Sequence, residues 1–131
     1  KNVYFLVEVL DRSLLRGDYA TVYLSSGDSK SLTNGAKRLQ VSMDGLKSTE
    51  TYAGKWNNAE MGVEVKTYVC NDTNEDRIDN YGYIAEISVP RSSLTISSGQ
   101  VLVNFSITDN KEEEAVSDVS SISRWIPVAG L

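Results

Sequence analysis

Two tryptophans, Trp56 and Trp125, are the residues of this chain best suited to ligand chemistry. An exposed indole offers a flat apolar platform to the C–H face of a sugar ring, and polar side chains around it take the hydroxyl rim. Trp56 lies in Ala53-Gly54-Lys55-Trp56-Asn57-Asn58, a Gly/Asn-rich stretch in which a core aromatic is unusual. Trp125 has Ile126 and Val128 beside it, which suggest a packed segment. The plainer account of either residue is core packing, since tryptophan is on average well buried.

A second group is polar. Arg38, Gln40, Glu64, Lys66, Glu86 and Asn104 all fall on the polar side of alternating segments. They are the donor and acceptor types that read sugar hydroxyls, and also what any antiparallel sheet with one wet face displays. The ligand site expected from these residues is Trp56, with Trp125 as a partner and Arg38, Glu86 and Asn104 as its polar rim. Glu64 and Glu86 invite a third reading, because paired carboxylates perform glycoside hydrolysis; nothing in the sequence sets their separation. The chain has no histidine, so a Ser-His-Asp or Cys-His site cannot form within it. No Gly-x-Ser-x-Gly motif is present either, and the expectation is a protein that is not an enzyme.

The third group is acidic. Asp72, Glu75, Asp76 and Asp79 crowd one segment, and Asp109 and Asp118 flank another. Carboxylates and backbone carbonyls in loops make hard-cation sites, so Asp72, Asp76 and Asp79 are candidate calcium ligands. No EF-hand spacing accompanies them, and solvated turn residues are the alternative.

These residues must be held by strands, because period-2 alternation dominates the chain. Val3, Phe5, Val7 and Val9 share one face of a first strand, and Tyr19–Leu24 is a second. Leu39, Val41 and Met43 alternate with Arg38, Gln40 and Ser42, and Asp44-Gly45 signals a turn. Met61, Val63, Val65 and Val69 define an inward face opposite Glu64, Lys66 and Tyr68; Asn71–Asn80 reads as a polar loop. Tyr81, Tyr83, Ala85, Ile87 and Val89 alternate in a strand that Pro90 ends, and Arg91–Ile96 has room for one helical turn. Val101, Val103, Phe105 and Ile107 form the inward face of a last strand, with Asn104, Ser106 and Thr108 outward. The pattern predicts an all-β antiparallel sandwich, jelly-roll or immunoglobulin-like, with little helix.

At 131 residues the chain matches one domain able to bury a core without staples. Its net charge of −5 argues against nucleic acid and anionic membranes as partners. Cys70 is the only cysteine, so no intrachain disulfide exists. No apolar run is long enough to span a bilayer. The chain opens at Lys1 almost directly into a strand and ends as abruptly at Pro127–Leu131, so residues 1–131 read as a single domain cut from a longer polypeptide, or as one whose leader is absent from this sequence.

The last third runs Gly82-Tyr83-Ile84-Ala85-Glu86-Ile87-Ser88-Val89-Pro90, then Leu94, then Gly99 through Asn110, and later Trp125. It resembles the C-terminal half of the family 9 carbohydrate-binding modules and their DOMON-like relatives. The opening strands, Val3–Asp11 and Asp18–Leu24, are similar to the family's earlier pair, with Thr21 where the family usually has Glu. The resemblance implies paired aromatics clamping a sugar, with Trp125 as the C-terminal tryptophan of the pattern, and structural calcium. It also implies covalent linkage to other domains of a secreted or cell-surface protein acting on polysaccharide. Some DOMON-like relatives bind haem, but without histidine a His/Met ligand pair is excluded and Met43 and Met61 lack the usual partner. The alternative to sugar binding is a structural or protein-interaction sandwich.

Overall fold

The computed structural model describes residues 1–10, 17–26, 32–74, 77–108 and 126–131; for 71–74 and 77–81 it describes the backbone only. The fold is an all-β antiparallel sandwich. The strands are β1 (Asn2–Leu10), β2 (Tyr19–Ser25), β3 (Lys37–Ser42), β4 (Gly45–Tyr52), β5 (Trp56–Asn58), β6 (Glu64–Asn74), β7 (Arg77–Pro90), β8 (Val101–Thr108) and β9 (Ile126–Val128). One sheet has the order β1-β7-β6 and the other the order β5-β4-β3-β2-β8-β9. The expected helical turn is a single 3-10 turn, Arg91–Ser93.

Alternation explains the three-stranded sheet. Val3, Phe5, Val7 and Val9 of β1 lie opposite Val89, Ile87, Ala85 and Tyr83 of β7, so one register sends eight side chains to one face. They meet Ala20, Val22, Leu24, Leu39, Val41, Val101 and Val103 from the other sheet in one core. Polar contacts also join the sheets across it: the Tyr83 hydroxyl donates to the Val41 carbonyl at 3.0 Å, and the Thr67 hydroxyl to the Met43 carbonyl at 2.9 Å.

Several expectations change. Within the expected loop, residues 71–74 and 77–80 are strand: β6 and β7 pair through them, past a register shift at Cys70/Asn71. The ladder is made by backbone groups, so a run of Asn, Asp and Thr extends a hairpin without any apolar alternation. Met61 and Val63 precede β6 rather than open it. Phe105 and Ile107 have inward parity but are about half exposed, at 47% and 50%. A three-stranded sheet cannot roof a six-stranded one, and these two side chains fall outside its footprint. The stretch around Trp56 forms two strands, β4 and β5, that hydrophobic alternation does not reveal.

Candidate functional site

The outer face of the six-stranded sheet carries a continuous line of side chains. In register across five strands stand Asn58, Glu50, Arg38, Tyr23 and Asn104. One step along, Ser48, Gln40, Thr21 and Ser106 form a second line. Tyr52 and Trp56 face each other at the β4–β5 edge.

The first line is organised by an ion pair. Arg38 Nε donates to Glu50 Oε1 at 3.0 Å and Nη2 to Oε2 at 2.9 Å. This two-pronged geometry is what a planar guanidinium offers a carboxylate. Ser48 Oγ lies 3.0 Å from Gln40 Oε1 and 3.3 Å from Glu50 Oε1, linking the two lines. The Arg38 guanidinium sits 4.4 Å from the Trp56 ring centre, a cation–π stack. Tyr52 meets Trp56 edge-on at 5.2 Å, and Tyr23 approaches at 6.0 Å. Arg38 is only 6% exposed and Tyr23 is also buried, while Trp56 and Tyr52 stay partly exposed.

This corrects the expected wet face: Arg38 and Gln40 point away from the core, as alternation requires, yet both are buried. The cause for Arg38 is the β4–β5 hairpin, which brings Glu50 and Trp56 onto it.

No family model, curated protein or solved structure matches the chain. The site therefore stands on its own geometry. Trp56, Arg38 and Asn104 lie on one face, with Tyr23 between the last two. Glu86 does not join them. It belongs to β7, with its side chain on the outer face of the opposite sheet beside Glu64 and Lys66. Two sheets packed through their apolar faces send their polar faces in opposite directions, so a polar set pooled from both sheets cannot be one site. Trp125 and Asp76 lie outside the described residues. Asp72 and Asp79 are direct cross-strand partners in the β6–β7 hairpin, described by backbone alone. Among the described residues no cluster of three His, Cys, Asp or Glu suited to a metal occurs.

Sequence reasoning missed Glu50, Tyr23 and Tyr52. Tyr23 was visible as an outward position on β2, whereas Glu50 and Tyr52 required seeing β4. Next to the line, Lys47, Ser48, Asn58 and Glu60 border a polar cleft of about 340 Å³. Ser48 and Asn58 belong to both features, so the cleft continues the face that Trp56 begins.

Proposed function

We propose that this protein is a non-catalytic saccharide-binding sandwich, joined to a secreted or cell-surface protein that acts on or adheres to glycans. One observation carries the reading: a partly exposed tryptophan is held in place by the Arg38–Glu50 pair, on the sheet face that also carries Ser48 and Asn58 of a polar cleft. A stacking platform works best when its rotamer is fixed before the ligand arrives, because less freedom is lost on binding. The Arg38 stack and the Tyr52 edge supply that fixing. Ser48 and Asn58 then offer hydroxyl and amide groups along the ligand's rim. The family-like stretch from Gly82 to Asn110 supports the same reading. Structural calcium in the β6–β7 hairpin belongs to it as well.

Calorimetry with a saccharide hit from a glycan array tests it. Trp56→Ala is expected to cost about 1–3 kcal/mol of binding, from lost stacking and apolar burial. The ring also covers the guanidinium, so this variant loses stability too, by about 1–2 kcal/mol. Asn58→Ala separates the two effects: Asn58 is exposed, and its loss should weaken binding by about 0.5–1.5 kcal/mol with the melting temperature unchanged. Parent-like affinity in both variants would remove the site.

A further inference from the structure

The outer face of the three-stranded sheet holds a groove of about 800 Å³, on the opposite side of the sandwich from Trp56. Its size lies within the range of small-ligand sites. Two registered rows build it. Tyr4, Ser88 and Glu64 form one, and Leu6, Glu86 and Lys66 the other. Tyr4 and Leu6 are 74% and 69% exposed, although sheet faces normally spend such side chains on a core.

The charged residues are the informative part. Lys66 and Glu86 are direct cross-strand partners of opposite charge, and Glu64 is diagonal to Glu86. Such neighbours readily pair. Yet no side-chain hydrogen bond or ion pair joins Glu64, Lys66 or Glu86 to another described residue. The groove thus presents two carboxylates and one ammonium, unspent, beside an aromatic ring and a leucine. An anionic ligand meets repulsion from both glutamates, and Lys66 offsets one of the two carboxylates that would draw a cation. A neutral ligand with apolar faces and many hydroxyls satisfies all of them: its hydroxyls donate to Glu64 and Glu86 and accept from Lys66, while a C–H face rests on Tyr4.

We propose that this groove is a second binding site for neutral saccharides, so that the protein holds two glycan chains on opposite faces. The proposal extends the saccharide reading above but concerns different residues. Two sites facing away from each other cannot grip one short ligand. They bridge separate chains, and a polymer gains avidity that a short oligomer does not.

The test uses neutral gluco-, xylo- and manno-oligosaccharides on an array, with the best ligand taken into calorimetry. Two equivalents per chain are expected for the parent. Trp56→Ala should retain one of them, and adding Tyr4→Ala or Glu86→Gln should weaken that one by about tenfold. Tyr4 and Glu86 are exposed, so neither change should lower the melting temperature. One equivalent in the parent, abolished by Trp56→Ala and indifferent to Tyr4→Ala, overturns the groove and leaves the Trp56 site standing. One equivalent that survives Trp56→Ala and is lost with Tyr4→Ala keeps the groove and removes the Trp56 site. No binding by the parent overturns both. A dimer in sedimentation that Tyr4→Ala makes monomeric shows a protein contact instead, and the groove proposal falls.

Discussion

Arg38 shows how much one side chain depends on its neighbours. Its guanidinium is out of water, and the carboxylate of Glu50 and the face of Trp56 replace hydration. Removing one partner of such a pair leaves a buried charge, which costs far more than the pair contributes. Glu50→Ala should therefore lower stability by about 3–5 kcal/mol in urea unfolding. Arg38→Met combined with Glu50→Leu should recover most of that loss, because the replacement is apolar and of similar volume. A double variant as unstable as the sum of its two single changes would mean that Arg38 and Glu50 are not coupled, and that the loss in Glu50→Ala is not that of a stranded charge. The same double variant should lose saccharide binding while staying folded, since the support beneath Trp56 is gone.

At the scale of elements, the β3–β4 hairpin decides where Glu50 goes. Ser42 faces Gly45 across a turn whose interior is Met43-Asp44, and the Ser42 hydroxyl accepts from the Asp44 N–H at 3.2 Å. Gly45 has φ of +114°, which a side chain resists although no atom lies within 4 Å of its would-be Cβ. Gly45→Ala should cost about 1–3 kcal/mol from backbone strain alone, read as a shifted urea midpoint at constant slope. A neutral result would mean that the turn relaxes without passing strain to β4. Asp44-Gly45 was legible as a turn because those residue types tolerate such geometry. The strand after it was not legible. In Leu46-Lys47-Ser48-Thr49-Glu50-Thr51-Tyr52 apolar alternation is weak, because its outward side chains bury against Arg38, Gln40 and Trp56 rather than in the core.

The whole molecule is held by its core and by a few polar links between sheets, of which Tyr83 is the most buried. Burial pushes its phenol from 10.0 up to about 12; the charge of Asp18 adds to the rise and the Ala20 backbone N–H opposes it. Because the folded value lies above the unfolded one, the neutral phenol's contribution is complete below pH 10. It is withdrawn as pH climbs from 10 toward 12, where the unfolded ring ionises and the folded one resists. Alkaline urea titration should show the stability gap between the parent and Tyr83→Phe narrowing across that window. A constant gap would mean that Tyr83 does not resist ionisation in the folded protein.

The sequence by itself determined the class of fold and most of the core, because a half-buried strand must alternate and β1, β2, β7 and the first half of β8 do so. It also determined that Trp56, Arg38 and Asn104 are residues to examine: Arg38 and Asn104 by type and outward parity, Trp56 by its type in a Gly/Asn-rich stretch. Only the tertiary structure decided that these three share a face and that Glu86 does not. Alternation assigns each side chain to an inner or outer side of its own strand, but which sheet a strand joins is set by pairings between residues far apart in the chain. Glu86 pairs with Lys66 on one sheet, and Arg38 with Glu50 on the other. One polar set in the sequence thereby became two faces pointing in opposite directions.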